Sequence, residues 1–560
     1  MRVAVVGSGV SGLAATWLLN EYSGHTVHLY ESDSRPGGHA NTVRYTPRDA
    51  GSGRGEVGID VDTGFIVFNP STYPNFLRFL RLHANTEKVI LPTEMTFSVS
   101  RDGGAFEWAG KNLFTVFCQA KNLLDPGMWR LVWDVARFNA TAGRILLEND
   151  RQEQSIGEYL DQEGYSASFR DNYLIPMTAA IWSTPADKCS MEFPATTLIQ
   201  FLHNHHLLQI TGKPSWLTLK GGSKSYVNQI LSNLDESHLH LSAPVRSLTR
   251  LSEGGTNASQ ILLRTSSGIS ETYDHIILAC HSDEAIRILR NGEGIEGGSG
   301  ITPREETILG LFTWNRNEVV LHSDVRLMPK ARSAWSCWNY LTQSGVDGNG
   351  NRKANSDGVS LQVLCFITAH VPVNAGVRIS TGHVNGMNDL QHISESKYGP
   401  VLVTLNAPFE PRKELIAGRW RYDHPVLDSN AIAAQQRMHE IQGTSGVSFA
   451  GAYLRYGFHE DGFTSGLVAA MALSSQQGPG KETVRPPFPI EYAARDVRRS
   501  AIVKLVAAVF DIIEASGARA LVGFVASAVL DEEEVFCFEA PETVLRVHIS
   551  RYCDGEEADR

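Results

Sequence analysis

Apolar positions near the start of the chain change period twice. Arg2–Val6 is a continuous Val/Ala run, which predicts a short parallel strand buried on both faces. Leu13 to Leu19 reads as a helix, and Thr26 to Tyr30 as a second strand ended by Glu31. Farther along, 112–210 is mainly helical by pattern. Phe114, Phe117, Trp129, Trp133 and Phe138 fall there at near-helical spacing, which predicts a core-facing stripe, with the wall of a lipid tunnel as the sharper reading. The glycine-rich stretches Gly292–Gly300 and Gly345–Gly358 predict solvated, flexible insertions. Pro479, Pro486, Pro487 and Pro489 mark a linker. Beyond it Ala501–Leu530 is apolar but interrupted by Lys504, Asp511, Glu514 and Arg519. Its longest uncharged run, Ala520–Leu530, is far short of the ~20 residues that span a bilayer. The pattern predicts one or two amphipathic helices packed on the core. A helix lying on a membrane surface is the second reading, opposed on anionic lipid by Asp531–Glu534.

Composition narrows the class. The 560 residues are 42% hydrophobic and 20% charged, which suits a globular chain and excludes a disordered one. The net charge of −11 argues against nucleic acid as a partner, because phosphate backbones need a basic surface. The 7 cysteines are widely spaced with no C-x-x-C, so no thiolate zinc site or disulfide framework is expected. With no signal-peptide pattern, the expectation is a reduced cytoplasmic chain, with membrane association through its C-terminal helices as the alternative.

The first strand runs into Gly7-Ser8-Gly9-Val10-Ser11-Gly12, and Glu31 closes the second strand about 20 residues later. G-x-G-x-x-G between strand and helix, with that acid, is the pattern of a dinucleotide site. Gly7 permits the tight turn, Gly9 lets backbone approach a pyrophosphate, and Gly12 lets helix pack on strand. The helix N-terminus offers free N–H groups and its positive end to the phosphates. Glu31 can accept from both ribose hydroxyls and disfavours a 2′-phosphate.

Glu31 continues as Ser32-Asp33-Ser34-Arg35-Pro36-Gly37-Gly38-His39. This resembles the E-x-x-x-R-x-G-G stretch of flavin-containing amine oxidases and phytoene-desaturase-like enzymes, in which the loop passes the FAD pyrophosphate. Asp60–Phe68, with Thr63, Gly64 and Phe65, resembles that superfamily's strand beside the flavin. Ala243–Leu248 resembles its adenine-side strand, with Val245 giving backbone contacts to adenine, and Tyr273–Cys280 resembles its later sheet strand. Val447–Tyr453 and Gly462–Ala470 resemble the closing FAD motif, carried by Gly451, Ala452, Gly462 and Phe463, where a helix N-terminus faces the flavin. Amine oxidases usually have an acid where Ala452 stands; the departure either weakens cofactor binding or, the preferred reading, moves a ribityl contact to Glu460 or Asp461. A narrower NAD/FAD-binding subgroup, fused in plants ahead of cyclopropane fatty acid synthase, is similar over 1–475. Its carriers include Asp62–Asn69, Pro176–Ser183, Trp338–Leu341 and Tyr456–Gly462.

The resemblance implies an α/β fold. A Rossmann-like FAD-binding domain (1–85, 215–290, 440–475), of the amine-oxidase and GDP-dissociation-inhibitor type, interleaves with an α+β substrate domain (86–214, 291–439). A helical C-terminal extension (476–560) follows. It implies non-covalent FAD and an oxidase, dehydrogenase or desaturase that passes hydride from a small, apolar or lipid-like substrate to flavin N5. Alternatives are an amine oxidase, an isomerase without net redox, or a non-enzymatic lipid binder like the GDP-dissociation inhibitors. His459 is a candidate proton-transfer group, Glu460 another if burial raises its pKa, and Tyr456 a pocket wall. For His459 and Glu460 bracing the loop is the competing role. Lys330 is the candidate for a lysine near N5, with a surface position the plainer expectation. His203 and His206 fall i, i+3 on an expected helix, but no acid completes a metal set.

Overall fold

The computed structural model describes residues 1–47, 58–147, 154–182, 191, 193–209, 214–251, 260–342, 381–474, 483–492 and 501–518, and the pairs 536–537 and 548–549. Gly345–Gly358, Ser183 and Ala520–Glu534 lie outside the described residues.

Five strands form a parallel sheet in the order Leu239–His240, Thr26–Tyr30, Arg2–Val6, His275–Leu278, Val447–Phe449. Its register sets Val5 beside Leu29 and Ile277. Strand geometry sends alternate residues to opposite faces. Val3, Val5, Val27, Leu29 and Ile277 join the core under the helix Val10–Tyr22. Ala4, Val6, Tyr30, Ile276 and Leu278 join a second core, beneath an antiparallel trio made by Val245–Leu251, Gln260–Thr265 and Ser270–Tyr273. Burial on both faces explains the unbroken apolar runs.

A second, seven-stranded sheet runs Ile416–Val426, Thr313–His322, Leu402–Leu405, Thr381–Gly386, Trp338–Thr342, Phe97–Arg101, Phe106–Ala109. It is antiparallel except where Trp338–Thr342 pairs with Phe97–Arg101. The helices Pro126–Thr141, Ile156–Gln162, Ile175–Trp182 and Ala195–Asn204 contribute to a third core around Phe138, Phe169 and Phe201.

Three expectations change. The aromatic stripe is only partly core: Phe138 is fully buried, Phe117 and Trp133 are half-buried, and Phe114 and Trp129 are exposed, Phe114 at 90%. Near-helical spacing across 113–138 spans separate short elements, Leu113–Val116, Ala120–Leu123 and Pro126–Thr141, so no single face carries it. The Gly292–Gly300 stretch is anchored rather than free. A Cβ on Gly292 would lie 1.7 Å from the Leu248 carbonyl oxygen, and Ser299 and Arg250 exchange backbone hydrogen bonds. The buried Arg250–Glu305 pair holds the far end at 2.5 Å. Finally, the helix expected to carry His203 and His206 ends at Asn204, and His206 sits at φ 59°, off the helix. In the C-terminal extension the described elements are the helix Ala501–Ala515 and a short antiparallel pair, Phe536–Cys537 with His548–Ile549. Among the described residues no helix is long and apolar enough to cross a membrane, and no group of His, Cys, Asp or Glu is arranged to hold a metal.

Candidate functional site

Gly7 closes the first strand at φ 102°, where a Cβ would meet the Ala279 carbonyl oxygen at 2.8 Å. A Cβ on Gly12 would fall 1.8 Å from the Gly7 carbonyl oxygen, so only glycine lets the helix return onto its own strand. Gly9 differs: a Cβ there meets nothing within 4 Å. It is the N-cap of Val10–Tyr22, and no side chain caps that helix to satisfy its first-turn N–H groups. Gly38, at φ 56°, brings the second glycine pair against Gly9, and the Gly37 amide donates to the Ser8 carbonyl at 3.0 Å.

Glu31 ties the two loops together. One carboxylate oxygen accepts from the Ser8 amide at 2.9 Å and hydroxyl at 2.6 Å. The other accepts from the Asp33 amide at 2.8 Å and the Ser32 hydroxyl at 3.0 Å. Arg35 donates to the Gly38 carbonyl at 3.0 Å and so braces the glycine pair. Val245 starts a strand at a bulge next to Ala243, whose amide donates to the Glu31 carbonyl.

The helix His459–Met471 packs across the first helix through two glycines one turn apart. A Cβ on Gly462 would be 2.6 Å from Val10 Cγ1, and one on Gly466 would be 2.0 Å from the Ser11 carbonyl oxygen. Ala452 lies against Gly462, and the Gly451 amide donates to Ser465 Oγ at 2.9 Å. Phe463 points away from the loops into the core, among Trp17, Phe76 and Phe79.

The candidate catalytic side chains separate by role. His459 stacks face to face on Phe65, with centroids 3.7 Å apart, and its Nε2 lies 2.8 Å from the Tyr226 hydroxyl. Burial pushes its pKa down to about 3, so the imidazole is neutral at physiological pH. Glu460 caps another helix: its two oxygens accept from the Asn75 and Phe76 amides at 2.9 and 3.0 Å, at the start of Pro74–Leu82. Burial outweighs those bonds and raises its pKa to about 8. Asp461, also lifted by burial to about 6, accepts from the Phe458 amide at 3.0 Å. Tyr456 lines a cleft with Phe458, His205, Arg455, Asp461 and Tyr492, and its carbonyl accepts from Trp182 at 3.0 Å. Lys330 is exposed beside the Gly103–Gly104 turn, its amide donating to Glu107 at 2.6 Å.

Sequence reasoning missed a polar seam between the two large sheets. The His39 ring lies 4.8 Å from that of Tyr422 and 5.1 Å from that of His424, both on Ile416–Val426. The Tyr422 hydroxyl is 2.7 Å from Thr63 Oγ1 and accepts from Asn41 at 2.8 Å. The His39 carbonyl accepts from the Phe65 amide, and a Cβ on Gly64 would come within 2.3 Å of that oxygen. His281 stacks on Trp314 at 3.8 Å. Burial lowers all three imidazoles, His424 to about 4. No local motif marks Tyr422 or His424, because their partners come from elsewhere in the chain.

The sequence profile described as flavin containing amine oxidoreductase matches residues 10–290, half of the chain. The chain belongs to that family. A flavin-containing amine oxidoreductase is an FAD-dependent oxidoreductase, and the residues here fit FAD: the open face of Gly9 and the uncapped helix are a cradle that a Cβ would fill. No curated protein matches the sequence. Among solved structures, a protoporphyrinogen oxidase from Exiguobacterium sp. 255-15 is similar with 14% identity and TM-score 0.52, covering 84% of this chain and 98% of that one. A CLA-producing fatty acid isomerase from P. acnes is similar with 13% identity and TM-score 0.51, covering 83% and 96%. Wild-type putrescine oxidase bound to putrescine is similar with 14% identity and TM-score 0.51, covering 84% and 99%. At these identities the likeness is one of fold.

Proposed function

We propose that this FAD-dependent oxidoreductase acts on an apolar, lipid-like small molecule. The observation that carries the reading is the aromatic wall beside the closing helix, where Trp182, Phe201, Tyr456 and Phe458 pack as neighbours with centroids 4.5 to 6.4 Å apart. The fatty acid isomerase of like fold and the resemblance to the plant-fusion subgroup support the same class. A membrane surface, the second reading of the C-terminal helices, would suit such a substrate. FAD, when bound, would supply the hydride acceptor for such a substrate.

The chain's own residues divide the remaining work. Gly7, Ser8, Gly9, Val10, Ser11 and Gly12 would hold the pyrophosphate by backbone N–H groups, and Glu31 with Ser32 would hold the ribose. Arg35, Gly37, Gly38 and His39 form the second loop along the cofactor, Thr63, Gly64 and Phe65 its flavin side, and Val245 its adenine side. Gly451, Ala452, Gly462 and Phe463 close the site by backbone. FAD is held without a covalent link. The cofactor part is 1–85, 215–290 and 440–475, the substrate part is 86–214 and 291–439, and 476–560 is an extension. Tyr456 walls the substrate pocket. His459, neutral and stacked on Phe65, orients that ring rather than delivering a proton, and Glu460 fixes the helix Pro74–Leu82.

A second reading has its own support. Asp461, in the cleft with Tyr456, brings a carboxyl beside a ring that would suit an ammonium group, while Glu491 there is paired with Arg78 and the Tyr492 ring face with Arg455. Anaerobic mixing of the purified flavoprotein with fatty acyl lipids and with amines, read by flavin absorbance, tests both. Bleaching by an acyl lipid with loss of two hydrogens from the product is the expected result. Bleaching by amines alone favours the second reading, and an isomerised product of unchanged mass favours chemistry without net redox.

A further inference from the structure

The helix Ala501–Ala515 is amphipathic the wrong way round for a helix in water. A surface helix ordinarily turns its apolar stripe inward and its charges out. Here the acids serve the protein side. Asp511 accepts two bonds from Arg144 at 2.8 and 2.7 Å. Glu514 accepts from Trp133 Nε1 at 2.9 Å and lies 3.8 Å from Arg137. Ala507 and Phe510 pack on the same side, Phe510 edge-on to Trp133 at 4.8 Å. Leu505, Val509 and Ile512, spaced i, i+4 and i+7, point outward, with Leu505 and Ile512 each 67% exposed.

This stripe does not stand alone. Trp133 lies one turn from Trp129, which is 51% exposed and packs on Phe117 at 4.9 Å. Leu113, Phe114, Leu123 and Leu124 beside it are exposed as well. The row Phe117–Trp129–Trp133–Phe510 therefore joins two groups of outward apolar side chains. The Trp129 indole N–H is satisfied by the Leu123 carbonyl at 2.8 Å, which leaves its ring free for an apolar or interfacial neighbour. Single exposed apolar residues are ordinary, but a joined set is not.

We propose that this face, from Leu113–Trp129 to Leu505–Ile512, docks on the surface of a lipid bilayer. Charge separates this occupant from a second copy of the chain. The described acids of the face are already paired: Asp134 is buried with Arg130 at 2.9 Å, the half-exposed Asp511 is held by Arg144, Glu514 by Trp133, and the exposed Asp125 accepts from the Gly127 amide. Lys121 and Lys504 remain exposed at its margins. In a two-fold contact each lysine would meet another copy of this same apolar, lysine-edged face, whereas anionic headgroups oppose it with the opposite sign. The depth available suits a helix lying in the interface, since no described helix can span.

The test uses the full-length, FAD-loaded protein. It is sedimented with vesicles of phosphatidylcholine alone and with vesicles in which about a third is phosphatidylglycerol. The wild type is expected in the pellet, more so with phosphatidylglycerol. Leu505→Glu/Ile512→Glu and, separately, Phe114→Glu should each cut the bound fraction about tenfold. Phe409→Glu, at an exposed position in the loop between Leu402–Leu405 and Lys413–Leu415, should sediment like wild type. Flavin absorbance read in the same samples shows that each variant has folded and keeps this outcome apart from the substrate reading. Wild type that stays in the supernatant with both vesicles overturns the proposal. So do variants that sediment unchanged, and so does a wild-type dimer that Leu505→Glu/Ile512→Glu converts to monomer.

Discussion

Gly9 and Gly12 stand three residues apart in the same loop, yet their replacement by alanine should have opposite consequences. At Gly9 the backbone is at φ −63°, ψ 176°, which alanine adopts without strain, and the new methyl touches nothing. Two small effects on the cofactor-free protein oppose each other. Removing a glycine from the unfolded chain stabilises by about 0.4–1 kcal/mol. Placing alanine at an N-cap costs a similar amount, because it is a poorer cap than glycine. The apo protein should therefore unfold within about 0.5 kcal/mol of wild type. Bound FAD would meet that methyl where its pyrophosphate approaches the helix. Lengthening one or two charge-assisted N–H···O bonds costs about 2–4 kcal/mol, or roughly 30- to 1,000-fold in affinity. For Gly12→Ala the order reverses. The methyl would sit 1.8 Å from the Gly7 carbonyl oxygen, so helix and strand must separate, and the apo protein should lose about 1–3 kcal/mol or more. Denaturant unfolding of apo protein and flavin titration by fluorescence give the two numbers independently. A Gly9→Ala protein that binds FAD like wild type would refute the cradle.

Gly466→Ala should also destabilise the apo protein by about 1–3 kcal/mol and lower flavin content, because its methyl would fall 2.0 Å from the Ser11 carbonyl oxygen; denaturant midpoints and absorbance ratios check this. Glu460 has a folded pKa near 8 against an ordinary 4.5, so the folded state holds the proton more tightly. Stability should then fall as pH rises between those values, by at most about 1.4 kcal/mol per pH unit, and Glu460→Gln should remove that slope in urea midpoints measured from pH 5 to 9. His459→Phe keeps the stack on Phe65 and loses the Tyr226 bond, so turnover should stay within about tenfold of wild type with flavin content intact. A loss of 10² to 10⁴ at full flavin content would instead make His459 a proton-transfer group.

The strand, the glycine turn and the first helix were legible because each rests on neighbours within a few residues. The packing side of the same site was not. Gly462 and Gly466 read as a flavin-facing motif, but the contacts that require glycine there are made to Val10 and Ser11, at the other end of the domain. Tyr422 and His424 belong to a long strand with no marker in its pattern, and only the meeting of two sheets brings them to His39. The aromatic run from Phe114 to Phe138 shows the limit of periodicity: spacing identifies a face, while the neighbours decide whether that face is inside.

The parallel sheet has a consequence for how the protein is made. Its central strand is Arg2–Val6, but its last strand is Val447–Phe449, followed by the helix that locks onto Val10 and Ser11. At about 5–20 residues per second, roughly 20 to 90 s separate the synthesis of those two strands. The first helix lacks its cover throughout that interval, and Leu278 and its neighbours, once made, lack their outer partner for roughly 8 to 34 s of it. The nascent chain must be sheltered while it waits, and FAD can be enclosed only after translation has passed Gly466.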